Sequence, residues 1–96
     1  MSFEKYLQVM HQSGVRAISV AHVLETLTNE GPVMLTTLGR KVGVSSSAIT
    51  GIVDRLSRDG LAERIYGDDR RVILAGATSN GEKLVRRARA ALNRTQ

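Results

Sequence analysis

Residues 35–71 read LTTLGRKVGVSSSAITGIVDRLSRDGLAERIYGDDRR, and this stretch decides the fold. Leu35, Leu38 and Val42 share one face of a short helix. Gly43 follows, a residue type that takes positive φ at no steric cost and so ends a helix abruptly. Val44 fills the corner, and Ser45 offers a side-chain oxygen to the free N–H groups of the next helix. That second helix, over about 46–58, buries Ile49, Ile52, Val53 and Leu56 on one stripe. Gly39 would weaken an isolated helix; here it is a small residue where the second helix crosses the first closely. The pattern is a helix-turn-helix. Ser57-Arg58-Asp59-Gly60 closes the second helix, Leu61 to Tyr66 alternates as a strand, and Val72 to Ala75 gives another. Between them Gly67-Asp68-Asp69-Arg70-Arg71 forms a charged turn. A basic hairpin directly after a helix-turn-helix is a wing, here about 61–75. The expected fold class is mainly α with a small β-hairpin wing (α+β), a winged helix-turn-helix.

Working outward, Phe3, Tyr6, Leu7 and Met10 lie on one helical stripe within residues 2–12, and Ser13-Gly14 breaks it. So short a helix is marginal alone. It should pack on the chain's last helix or on a second subunit. Residues 15–18 read equally as helix continuation or extended link. Ser19 is expected to cap a helix with Val20, Val23, Leu24 and Leu27 on its apolar face, ending at Asn29-Glu30-Gly31 with Pro32 beyond. Val33-Met34 reads as a short strand pairing with one arm of the hairpin in a three-stranded sheet. Thr78 or Ser79 caps the final helix, with Ser79-x-x-Glu82 fitting a capping box. Its apolar residues are Leu84, Val85, Ala88, Ala91 and Leu92, available to Phe3, Tyr6, Leu7 and Met10 within one subunit or across two. Residues 1–18 are therefore a candidate dimerisation arm, 19–77 the winged unit, and 78–96 a second candidate for dimerisation.

The chain has 96 residues, enough for one domain with a modest core. Its aromatics are only two Tyr and one Phe, so the core must be aliphatic. Without cysteine, disulfides and thiolate metal sites are excluded. No apolar run reaches membrane-spanning length and no signal-peptide pattern opens the chain, so a soluble cytoplasmic protein with no membrane partner is expected. The net charge of +5 is unevenly placed. Residues 1–39 carry two basic and three acidic side chains, a balance of −1; residues 40–96 carry twelve and six, a balance of +6. A basic surface of this kind attracts phosphates and releases counterions when it meets nucleic acid. His11 and His22 stand without companions at ligand spacing, so no metal is expected. Neither a catalytic triad, a carboxylate pair nor a phosphate-cradling glycine loop can be assembled, and the chain reads as no enzyme and as needing no cofactor.

Several short motifs in this order resemble the MarR family of bacterial winged-helix transcription regulators. The run from Val44 to Leu56 resembles that family's recognition helix, and Asp59-Gly60-Leu61-Ala62-Glu63-Arg64 its helix-to-wing junction. Asp69-Arg70-Arg71 matches the wing-tip motif, and Ala77-Thr78-Ser79-Asn80-Gly81 sits where the family has Leu-Thr-x-x-Gly. The resemblance spans about residues 19–85. Three departures stand out. Gly51 replaces a larger, often basic residue; Met34 replaces a Thr-type cap; and the chain is shorter than most members after the wing.

The resemblance implies a sequence-specific regulator of transcription, a repressor that binds double-stranded DNA as a homodimer. A recognition helix of this motif lies in the major groove with its N-terminal residues against base edges. Ser45, Ser46, Ser47, Thr50 and Gly51 are then the expected contacts, by hydroxyl or by backbone. Thr36 and Arg40 on the first helix are candidates for backbone phosphates. Arg55 suits either a phosphate or an internal ion pair, whereas Asp54 repels DNA and should hold an arginine. By the same resemblance, one of Arg70 and Arg71 reaches the minor groove, where A·T-rich sequence concentrates negative potential. The other pairs with Asp68 or Asp69. Arg86, Arg87 and Arg89 could approach flanking DNA. The alternative is a winged-helix interaction module that docks a polymerase or another regulator, because the fold alone does not guarantee DNA binding. No operator and no small-molecule effector is named by the sequence.

Overall fold

The computed structural model describes residues 4–6, 8, 17–69 and 71–94. Helix α1 (Ala17–Glu30) forms the centre of the core, with Val20, Val23, Leu24 and Leu27 almost completely buried. Their spacing puts all four on one stripe, and burial of each contributes roughly 1.5–3 kcal/mol. The helix includes Ala17 and Ile18, so Ser19 is a buried residue of its first turn and not its cap. Packing of the neighbouring valine outweighs the mild preference of serine for a cap. Gly31, at φ 78, ends α1, its N–H donating to the Leu27 carbonyl at 3.1 Å. Pro32 leads into strand β1 (Val33–Met34).

Helix α2 (Leu35–Val42) starts at an extended Met34 that supplies no side-chain cap, as a methionine there implies. Burial of Leu38 holds it instead. Gly43 takes φ 80, and the N–H groups of Gly43 and Val44 both reach the Gly39 carbonyl, at 2.8 and 2.9 Å. Helix α3 (Ser46–Arg58) begins with the Ser45 hydroxyl accepting from the Ala48 N–H at 3.1 Å. Its buried side chains are Ile49, Ile52, Val53 and Leu56. At Gly39 an added Cβ would lie 3.4 Å from Ile49 Cγ2 and from the Val44 carbonyl oxygen, the close crossing that the sequence suggested. The far end of α3 closes on Gly60, whose N–H meets the Ser57 carbonyl while the Leu61 N–H meets that of Leu56.

Strands β2 (Ala62–Tyr66) and β3 (Ile73–Ala77) complete an antiparallel sheet of order β1-β3-β2. Val33 faces Ala75, and Ala62 and Tyr66 face Ala77 and Ile73. β3 thus lies slightly later than the predicted 72–75. Val72 belongs to the tip, its N–H bonded to the Asp69 carbonyl at 2.9 Å, while Gly76 and Ala77 extend the pairing back towards the start of β2.

Helix α4 (Ser79–Arg94) is capped by Thr78, whose Oγ1 accepts from the Gly81 N–H at 3.1 Å. Ser79 is the first helical residue, so of the two expected caps Thr78 is the one used and the Ser79 capping box is replaced. The same hydroxyl donates to the Gly60 carbonyl at 2.6 Å, and the Thr78 N–H donates to that of Leu61 at 3.1 Å. A Cβ on Gly81 would collide with the Leu61 carbonyl oxygen. The Thr78-x-x-Gly81 motif therefore fastens α4 to the junction between recognition helix and wing. At the other end of the chain Glu4 to Tyr6 and Gln8 are helical, and Tyr6 is buried. Phe3, Leu7, Met10 and the break at Ser13-Gly14 lie outside the described residues, as do residues 15 and 16.

Candidate nucleic-acid interface

With the four aliphatic side chains of α3 turned inward, Ser46, Ser47, Thr50 and Gly51 are exposed on its outer stripe. Thr36, Ser46, Thr50 and Arg71 line one shallow cleft of about 220 Å³, between the start of α2, the first turns of α3 and the wing. A second crevice, of about 200 Å³ between α2 and α3, brings Arg40 beside Thr36 and Ser46. Residues far apart in sequence thus meet on one face.

The wing tip is stiffened through the backbone. Asp69 accepts from the Arg71 N–H at 3.0 Å through its carboxylate and from the Val72 N–H through its carbonyl. The Arg71 side chain is exposed and pairs with no carboxylate among the described residues. Arg70 lies outside the described residues.

Charged groups in the middle of α3 are engaged internally. Asp54 holds an arginine as expected, and the partner is Arg64 on β2, so the wing strand is braced against the recognition helix. For Arg55 the structure shows the ion pair of the two roles open to it: its Nε lies 3.1 Å from Asp59 Oδ2. That oxygen also accepts from the Tyr6 hydroxyl at 2.8 Å. Burial, and the Asp59 carboxylate beside it, push the Tyr6 phenol well above the usual tyrosine range. The sequence placed Tyr6 on an apolar stripe and Arg64 in the helix-to-wing junction, and signalled a polar partner for neither. Asp54 signalled an arginine without saying which, because only the folded sheet brings β2 alongside α3. Arg58 is exposed and lies one turn beyond Asp54 on the same outer stripe.

The α4 cations are placed differently. Arg89 donates to Asn29 Oδ1 at 2.7 Å and faces Glu25, tying α4 to α1. Arg86 lies 3.8 Å from Glu82 on its own helix. Lys83 and Arg87 line a separate cleft of about 500 Å³ with Tyr6, Asp59 and Leu84. Tyr6 and α4 therefore face one cleft of the same subunit. Among the described residues no cluster of three or more metal-ligating side chains occurs, and no helix is long and apolar enough to cross a membrane.

The MarR family model matches residues 18–73, from the second residue of α1 to the start of β3. The chain belongs to the MarR family. This is a family of transcription regulators. One relative is the uncharacterized HTH-type transcriptional regulator YfiV of Bacillus subtilis, 35% identical over 65 residues, which are 67% of this chain and 41% of that protein. Among solved structures, RV1404 from Mycobacterium tuberculosis has a TM-score of 0.72 at 35% identity, covering 81% of this chain and 56% of that one. The transcriptional regulator Tm0710 from Thermotoga maritima has a TM-score of 0.70 at 30% identity, covering 83% and 56%. This MarR-family chain spans about half the length of the curated relatives it matches. Its mostly helical architecture with a small three-stranded sheet is the winged helix of that family.

Proposed function

We propose that this MarR-family chain is a sequence-specific, double-stranded-DNA-binding repressor of the cytoplasm. α3 enters the major groove, and the wing lies at the minor groove. The supporting observation is convergence: Thr36, Ser46, Thr50 and Arg71, from three different elements, line one open cleft. Ser46, Ser47, Thr50 and the Gly51 backbone then meet bases or nearby phosphates. Thr36, Arg40 and the wing arginines Arg70 and Arg71 meet the sugar-phosphate frame or the minor groove. Ser45 acts by capping α3, and Arg55 by holding Asp59. One such unit covers a small interface with few base contacts, so a homodimer on a palindromic operator is the fitting assembly, with residues 1–18 and 78–96 as its arms.

Selection of bound fragments from random duplex DNA tests this reading. The expected product is a duplex with two related half-sites, their centres about one helical turn or a multiple of it apart. Affinity for that duplex should fall steeply with salt, with Arg70→Ala and Arg71→Ala each lowering the slope of log K against log salt by about one. No enrichment, with binding indifferent to salt and to both substitutions, would contradict it and favour a module that docks another protein.

A further inference from the structure

We infer that the recognition helix reads thymine methyl groups rather than guanine edges, using the open notch at Gly51 and the methyl of Thr50. The inference rests on the DNA-binding reading above and names which base that site selects.

Residues 46–54 contain no Arg, Lys, Asn or Gln, the side chains that make bidentate contacts to guanine or adenine in the major groove. Asp54 could accept from a cytosine amine, but its carboxylate is paired with Arg64. Arg55 could donate a fork to guanine, but it is held by Asp59, which Tyr6 holds in turn. The first turns of the outer stripe, residues 46–51, therefore present single hydroxyls and bare carbon, and Arg58 lies two turns further along. A hydroxyl donates or accepts as required and so discriminates weakly between bases.

Carbon discriminates better here. At Gly51 an added Cβ would meet nothing within 4 Å, so the helix backbone lies open at that point. Thr50, exposed next to it, adds a methyl group. A duplex can approach this notch more closely than any helix position with a side chain would allow. The apolar feature that a major groove offers is the thymine C5-methyl, which threonine methyls contact. Burying one such methyl is worth about fourfold in affinity.

The test uses the full chain and the duplex recovered by selection. Each thymine is replaced in turn by uracil, which removes only the methyl, and each guanine by 7-deazaguanine, which removes only the N7 acceptor. Uracil at one or two positions of each half-site should weaken binding about fourfold, with the 7-deazaguanine scan flat. Gly51→Val projects into open space and leaves the core untouched, as its circular dichroism and melting should show. It should abolish the difference between thymine and uracil. A flat uracil scan overturns the inference, whether or not 7-deazaguanine weakens binding about tenfold as a lost guanine contact would. Those results leave the DNA-binding reading standing. Failure of selection to enrich any duplex overturns both.

Discussion

Two glycines show how differently one residue type can matter. A methyl group on Gly81 collides with the Leu61 carbonyl oxygen, backbone that cannot swing aside, whereas a methyl on Gly51 points into open space within a helix. Gly81→Ala should therefore lose about 3 kcal/mol of stability, read by urea denaturation. Gly51→Ala should gain about 1 kcal/mol, because glycine is the poorer helix former. In a chain of this size that is a rise of roughly 4–8 °C in melting temperature. A stabilised Gly81→Ala would contradict the fastening of α4 to the wing junction. These residues also mark what could be read from sequence. Gly43 was legible because its reason is local, the end of one helix. The demand on Gly81 was not, since the carbonyl it must admit belongs to Leu61, twenty positions earlier, at a distance only the fold sets. Thr78 was one of two candidate caps for the same reason: its hydroxyl is chosen by a bond to Gly60 as well as by α4.

Between elements, two polar links keep α3 in register with its neighbours. Asp54 and Arg64 brace the wing, and Tyr6 joins the N-terminal helical residues to Asp59 at the end of α3. The brace is partly exposed, so Asp54→Asn should cost under about 1 kcal/mol in global stability. Its effect should instead be local, with faster amide hydrogen exchange in β2 and β3. Unchanged exchange there would show that the pair does not hold the wing. For Tyr6, the folded state keeps its phenol protonated to higher pH than the unfolded chain does. Its contribution is complete below about pH 10, the ordinary tyrosine value, and is lost above it at up to about 1.4 kcal/mol per pH unit. Tyr6→Phe should be about 1 kcal/mol less stable near neutrality, and the gap to the native chain should close as pH rises past about 10. A gap independent of pH would contradict the link. At this scale the helix-turn-helix and hairpin were legible, because periodicity and turn residues are local signals. The start of α1 was not: Ser19 looks like a cap until the neighbouring apolar stripe is seen to take it inside.

Across the whole molecule the basic half of the chain is also the half that supplies α3 and the wing, and the structure turns their polar residues outward onto one cleft. Part of the remaining positive charge is spent within the fold, in Lys41 to Glu30 and Arg89 to Glu25 and Asn29. The +6 balance of residues 40–96 therefore overstates the cationic surface available to a duplex, because both carboxylates belong to residues 1–39. The central proposal is that this one face, and not the face built from α1 and α4, meets DNA. Its most direct test is a titration of the isotopically labelled chain with the selected duplex, followed through backbone amide shifts. The expected result is large shifts at Thr36, Ser46, Ser47, Thr50, Gly51 and Arg71, with α1 little changed. Shifts confined to α1 and α4, with the first turns of α3 unmoved, would contradict it.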